Sequence, residues 1–480
     1  MKHISNLEQS GKITKAFPWL SPFCLVIIFF ATLITEWTGY QPPALLAVFM
    51  LTLFMCLEWK QLDLSTKLIA WVAIGLTLLL LSFSQISFHQ LGTLTSSVVF
   101  FAFFLIALGL LKEAALTSNS VNLTGVVLLQ QHPVRRYALL TFASHILGIL
   151  MSVGAINLLA TMIQRSLHHN KGTVDARINS VRQRRMMLAV MRGFCSIPLW
   201  APTSITITLL VTTIPGLQWI DIIPYGLYLT LTLLLFGIWL DHVQAPKNLS
   251  HLVPTISNDL SALKVSYPTI VVVITLAIIS ALLIFTSPLR PIAAVLVSAP
   301  IVSIAWIFSQ YHRTNNKLNA MRLTVKRFSS DIFFRLTLQR SEIVFFSGSV
   351  LIGRLLLTVL DLDWFAQQLA HLNLSAALIL IASSWLIFIA ALLFISPMIS
   401  VTLMAGALAQ LPGVDHMPVT IALVMMVTWA VVAGSSPSTT SVRISAKITG
   451  ISPFQMGVKW NGLYSILVLL ALDFFLLVLV

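Results

Sequence analysis

Charge is what this sequence has least of. Of its 480 residues only 15 are Asp or Glu, charged residues of both signs make up 9%, and there are three cysteines. So little polar surface excludes a water-soluble globular chain of this length. Cys24, Cys56 and Cys195 are scattered in or beside apolar runs, with no CxxC spacing and no His/Asp cluster nearby. That excludes a disulfide framework and a metal site of the zinc type. Glu36, Glu58, Glu113, Asp241, Asp361 and Asp363 stand near the ends of apolar runs, and Asp473 lies within one. Scarcity of buried carboxylates disfavours a carboxylate proton relay and favours ion coordination by neutral oxygens. The N-terminus, MKHISNLEQSGKITK, is polar and basic, and no small-residue cleavage site follows it. Residues 1–16 read as a retained cytoplasmic tail.

What the chain does have is apolar sequence, 58% of residues at a mean hydropathy of +0.93. It reads as an all-α polytopic membrane protein. The net charge of +14 comes from lysines and arginines in the connections, without aromatic interleaving or a binding motif. This is the positive-inside pattern and not a nucleic-acid surface. Spans are expected over 17–37, 44–59, 68–83, 96–111, 186–213, 220–240, 268–285, 291–309 and 343–360, with another begun by the apolar run 419–432 and interrupted at 434–443, and a last one over 463–480. The segment 137–164 carries a small, polar middle, SVGAIN at 152–157, and 375–411 carries SPMISVT at 396–402. Both are expected to be re-entrant hairpins with those tips at depth.

Two further stretches conflict with an unbroken helix. GSSPSTTSVR, 434–443, places six hydroxyls, Pro437 and Arg443 where the flanking apolar runs demand a span, and LWAPTSIT, 199–206, does the same around Pro202. Proline lacks the N–H and clashes with the preceding turn, and free hydroxyls in hydrocarbon are costly. Helix breaks resolve the conflict, and breaks at membrane depth persist only where protein or a water-filled cavity covers them. A proline kink with back-bonded hydroxyls is the plainer alternative.

The halves read as copies. VVFF (98–101) falls on IVFF (343–346) at an offset of 245, the same offset brings SVGAIN onto PMISVT, and at about 235 Pro202 falls on Pro437. Span, hairpin, proline break and final span recur in one order. The expected organisation is a tail (1–16), an extra helix (17–37), a first inverted repeat (40–241), a cytoplasmic linker (242–267) and a second repeat (268–480). Five crossings per copy invert the second, giving eleven spans and two opposed hairpins. The basic loops then lie inside, with the N-terminus cytoplasmic and the C-terminus outside the inner membrane.

This pattern resembles the ion transporter superfamily, which includes divalent anion:sodium symporters, citrate carriers, arsenite permeases and the large membrane subunits of TRAP transporters. The resemblance covers roughly residues 40–480. It implies secondary transport of a small, carboxylate-like anion by an elevator-type movement, with the solute held between hairpin tips and breaks. By position the site residues would be Ser152 and Asn157 in the first tip, and Pro202, Thr203, Ser204 and Thr206 in the first break. The second half would supply Ser396, Ser400 and Thr402 from its tip. Its break would supply Ser435, Ser436, Pro437, Ser438, Thr439, Thr440, Ser441 and Arg443. The dicarboxylate carriers show Ser-Asn-Thr at each tip, where this chain has SVGAIN and SPMIS.

The residues themselves support two kinds of ligand. Hydroxyls, amide oxygens and unwound carbonyls suit Na⁺, with Ser152, Asn157, Ser396 and Ser400 as its ligands, while helix N-termini suit an anion. No cofactor is expected beyond Na⁺ or H⁺ as coupling ion. His145 is the candidate proton carrier, weighed against a packed structural histidine. Arg443 is the candidate anion contact, its planar fork matching a carboxylate; Arg354, inside a span, is the other. The expected partners are the bilayer and the solute, with a homodimer left open. The alternatives are a polytopic enzyme acting on a lipid-linked substrate and a passive channel.

Overall fold

A computed structural model describes residues 19–83, 86–129, 131–169, 175–245, 261–371 and 374–479. The expected tail, 1–16, and most of the linker, 242–267, lie outside the described residues. The protein is an all-α polytopic membrane protein. Among the described residues ten helices are long and apolar enough to cross a bilayer. An eleventh crossing, Ala176–Cys195 continued by Ile205–Thr213, misses that measure because its first half carries five arginines.

Proline sets where several helices begin. Gly39 closes Leu20–Thr38 in the left-handed conformation, φ 70°, and Pro42 opens the next helix at its first turn, where a missing N–H is harmless. Pro133, Pro291, Pro397 and Pro418 open theirs in the same way. Burial separates core from rim. Along Val98–Leu116 89% of the apolar window is buried and along Pro418–Thr449 78%, against 22% for Pro42–Gln61, Leu64–Ser82 and Tyr267–Thr286. The first two therefore form the centre, and the other three form its exposed rim.

One order of elements occurs twice. In the first half the hairpin is Pro133–Met151 and Val153–His169, the broken helix is Ala176–Cys195 and Ile205–Thr213, and Trp219–Gln244 ends the series. The second half has Ala376–Leu392 and Pro397–Leu408, then Pro418–Ser435 and Thr440–Thr449, then Asn461–Leu479. The packing is reciprocal. The second arm of the first hairpin lies against Thr440–Thr449, and the second arm of the second hairpin lies against Ile205–Thr213. Those half-helices have 10 and 9 residues. At about 1.5 Å per residue each covers about half a bilayer core.

Ion pairs mark the two ends of the bundle. Arg335–Glu113, Arg340–Glu58 and Arg185–Asp241 join the connections at the end rich in basic residues, and Arg290 pairs with Glu36 at the other.

Several boundaries differ from expectation. The fourth helix runs over Phe88–Leu116, the polar stretch after it folds as Asn119–Leu129, and a short helix covers Leu362–His371. The first broken helix starts at Ala176, ten residues earlier than the apolar run, because Asp175 caps it by accepting from the Arg177 amide. Helix also enters the expected linker at both ends, to Gln244 and from Ser261.

Candidate functional site

Both hairpin tips are tighter than the sequence implies. Helix resumes at Val153, so Ser152 alone makes the first turn, at φ 50° and ψ −136°. The second turn is residues 393–396, with Phe394 at φ 67°. These are the only non-glycine residues with positive φ among the described residues. Such backbone is strained for a side chain with a Cβ, most of all for a bulky one.

Four helices start from this region, and a hydroxyl residue stands immediately before each. Ser152 precedes Val153, Ser204 precedes Ile205, Ser396 precedes Pro397 and Thr439 precedes Thr440. All four line one cavity of about 1540 Å³. Each helix N-terminus carries about half a positive charge and unpaired N–H groups, so four of them make the region electropositive without any titratable side chain.

The breaks differ in what their hydroxyls do. In the first, Thr203 Oγ1 and Thr206 Oγ1 are buried without a hydrogen-bond partner, and so is Ser396 Oγ at the second tip. Thr203 is 7% and Thr206 0% exposed. Buried polar atoms are seldom left unpaired, and these three belong to residues lining the cavity. Ser204 caps its helix, accepting from the Thr206 amide at 3.3 Å.

In the second break the hydroxyls are occupied. Ser436 Oγ donates to Ala391 O at 2.7 Å and contacts Ser438 Oγ at 2.8 Å. Thr439 Oγ1 donates to Ser436 O at 2.8 Å, and Ser441 Oγ donates to Ala433 O. Ser435 Oγ is back-bonded to Val431 O at 2.7 Å. Ala433 O is the carbonyl that the break leaves without an intrahelical partner, because the residue four on is Pro437, and Ser441 supplies the missing donor.

Of the expected site residues, Ser152, Thr203, Ser204, Thr206, Ser396, Pro437, Ser438, Thr439, Thr440, Ser441 and Arg443 line the cavity. Six others do not line it. Asn157 lies in the second arm and is exposed, because the helix restarts four residues before it. Ser400 and Thr402 are helical and back-bonded, Thr402 Oγ1 to Met398 O at 2.6 Å and Ser400 Oγ to Ser396 O at 3.3 Å. Pro202, Ser435 and Ser436 are buried behind the lining.

Arg443, three residues into its half-helix, is exposed to the cavity, with Lys447 one turn on. Arg354 is not part of the lining; its Nη2 donates to Thr212 O at 2.6 Å, at the carbonyl end of Ile205–Thr213. Asp473 accepts from the Trp385 indole at 2.9 Å.

His145 is committed to the first break. Trp200 Nε1 donates to its Nε2 at 3.0 Å, so the hydrogen sits on Nδ1, which faces Ser196 Oγ at 2.8 Å and Gly193 O at 3.2 Å. Trp200 O in turn accepts from Trp219 Nε1 at 2.8 Å.

The rest of the cavity wall is largely apolar and aromatic, with Phe104, Phe194, Phe345, Phe346, Phe394 and Trp429. Its polar residues continue to the basic end of the bundle through Asp63, Ser65, Thr66, Ser341, Glu342 and Ser452. No lining residue comes from the connections at the opposite end, 39–41, 287–290 and 409–417. At the mouth Asp63 accepts from Thr66 Oγ1 at 2.6 Å and Ser65 Oγ at 2.8 Å. Burial opposes the charged carboxylate there, yet hydrogen bonds from Ser341, Thr66 and Ser65 outweigh it and hold the pKa below the usual value.

Comparisons with known proteins add little. No family model matches the chain, and no curated protein matches it significantly. Among solved structures it is similar to the YdaH transporter of Alcanivorax borkumensis, whose topology is described as unusual. Identity is 15%, the match covers 86% of this chain and 98% of that one, and the TM-score is 0.46. That level of likeness leaves solute and mechanism open.

Proposed function

We propose that this protein is a secondary transporter of a small organic anion, carried by alternating access of the elevator type that the superfamily resemblance implies. One observation carries the reading: four helix N-termini, each preceded by a hydroxyl residue, meet at one cavity whose lining residues include Arg443 and also Thr203, Thr206 and Ser396, with their unpartnered buried hydroxyls. Positive helix ends with a guanidinium favour negative charge, and neutral oxygens beside them suit a coupling cation, for which Na⁺ is the proposed species. The proposed solute end is a carboxylate. The apolar and aromatic wall favours an organic anion over an inorganic oxyanion, because such a wall gives an oxyanion nothing to bond.

The cavity reaches only the basic end, which is the side expected to face the cytoplasm. In this reading the structure is the inward-open member of the alternating pair. The N-terminus then lies in the cytoplasm and the C-terminus outside. Reconstitution in liposomes tests the function. Radiolabelled benzoate, succinate and phosphate are offered with an imposed Na⁺ gradient, and again with a pH gradient. Accumulation of a carboxylate above its equilibrium level, abolished by an ionophore that collapses the gradient, is the expected result. Equilibration without accumulation would establish a passive pore, and no flux of any anion would remove the reading.

A further inference from the structure

The Arg192 side chain is 3% exposed in a membrane-embedded helix, and no carboxylate pairs with it among the described residues. An arginine at such depth is costly and persists where neutral groups satisfy it fully. Here they come from three other helices, Pro133–Met151, Trp219–Gln244 and Asn461–Leu479. Nε donates to Asn461 Oδ1 at 3.0 Å, and Nη1 donates to Tyr137 Oη at 3.0 Å and Gly237 O at 3.1 Å. The guanidinium carbon lies 4.5 Å from the centre of the Tyr464 ring. Asn461, 2% exposed, uses its other end to donate from Nδ2 to Gly434 O at 3.1 Å.

Gly434 is two residues before Ser436, where the second helix stops, so its carbonyl has lost the amide a continuous helix would supply. Arg192 stands one turn before the first helix stops at Cys195. One guanidinium and one amide therefore bridge the carbonyl ends of both broken helices, and a cation suits two negative helix ends. Two glycines make room for the bridge. A Cβ on Gly434 would meet Asn461 Nδ2 at 2.9 Å, and one on Gly237 would meet Arg192 Cδ at 3.3 Å.

We infer that Arg192 and Asn461 are positioning residues: together they form a strut that fixes the spacing of the two breaks, and with it the site shared by the two halves. The inference rests on the proposed function only for its consequence, because the spacing can be measured without any solute. In a background with Cys24, Cys56 and Cys195 replaced, spin labels at Pro215→Cys and Lys447→Cys, both exposed positions, report the distance between the half-helices. Double electron–electron resonance in nanodiscs is expected to give one narrow distance distribution for the parent protein. Asn461→Leu should broaden or shift it by several ångström. Asn461→Asp gives the control for folding, since aspartate still accepts from Arg192 but has no hydrogen to donate to Gly434 O. A broadened distribution in folded Asn461→Asp supports the strut. A parental distribution in that variant, with only the melting temperature changed in Asn461→Leu, overturns it and leaves the pair a role in fold stability alone.

Discussion

The two breaks occupy equivalent places in the two halves and are held by different chemistry. The first is tied to its hairpin by His145 and Trp200, with Trp219 behind them, and the threonine hydroxyls at 203 and 206 are left without partners. The second is tied to its hairpin by Ser436 and Ser438 on Ala391 O, and further hydroxyls cover the carbonyls at 433 and 436. Where aromatic and imidazole groups support the backbone, the hydroxyls of Thr203 and Thr206 stay unpartnered. Where hydroxyls support the backbone, the cation of Arg443 is what remains. A repeat can thus keep its geometry while the chemistry of its two halves diverges.

The largest effects should come from adding a methyl group behind each break. A Cβ on Gly226 would sit 2.0 Å from Leu199 O, and one on Gly457 would sit 2.2 Å from Ser435 O. Both neighbours are backbone atoms that no rotamer change can move, so the cost lies at the upper end of the about 1–3 kcal/mol typical of overpacking, or above it. Gly226→Ala and Gly457→Ala are each expected to lose most folded protein, read by fluorescence-detected size exclusion. Parental yield and melting for one of them would show that its break is compliant and the other rigid.

A smaller and more selective contrast separates ligand oxygens from backbone supports. Hydrogen bonds to charged groups contribute about 1.5–3 kcal/mol, a factor of roughly ten to a hundred in an equilibrium constant. Thr206→Val and Thr203→Val should therefore raise the half-saturating solute concentration by about that factor while leaving melting unchanged or higher, because each removes a buried hydroxyl with no partner. Ser436→Ala should do the reverse, lowering the melting temperature by a few degrees with affinity retained. Asn157→Ala should change neither quantity, since Asn157 stands outside the cavity lining. Equal losses of affinity at Thr206 and Asn157 would mean that the first tip reorganises in another state.

Arg443 tests the remaining side of the comparison. A planar fork binds a carboxylate through two bonds and a lysine ammonium does so as a point charge, so Arg443→Lys should raise the half-saturating concentration about tenfold and Arg443→Gln further. Protein level should hold, because the side chain is exposed. Parental affinity in both variants would assign anion binding to the helix N-termini alone.

Much of this was legible in the sequence, and what was not has physical causes. Proline amid a dense cluster of hydroxyls inside an apolar run marks a break because an unbroken helix would lose an amide and leave many polar groups to satisfy, and 199–206 and 434–443 are breaks. Tips are harder to read. Polarity drew attention to SVGAIN, yet the turn is made by Ser152 alone, and the helix that follows carries Asn157 out of the site. At the second tip Pro397 starts a helix, so the turn takes in only Ser396 of the polar stretch and includes Phe394, which nothing in composition marks as a turn residue. Arg192 falls inside the expected span 186–213, and its partners Tyr137, Gly237 and Asn461 are not legible because they come from helices distant in the chain. The recurrence of a hydroxyl residue before each of four helix starts was present in the sequence, and only the helix boundaries make it visible.

A small effect on transport is also expected at His145, where the comparison predicts support and not proton carriage. Its Nε2 accepts from the Trp200 indole, and Nδ1 faces Ser196 Oγ and Gly193 O. A second proton would have to enter on Nε2, directly opposite the indole N–H, so protonation requires Trp200 to leave and the first break to open. An imidazole that shuttled protons would face the cavity, whereas His145 is not among its lining residues. His145→Gln keeps one donor and one acceptor in about the same volume. It should lower the melting temperature modestly while leaving the shape of the transport–pH profile between about pH 5 and 8, the range in which a histidine titrates, as in the parent protein. A profile flattened by His145→Gln, with Trp200→Phe shifting it in the same range, would make His145 the proton site, and the first break would then be the chemically active half for a different reason than its threonines.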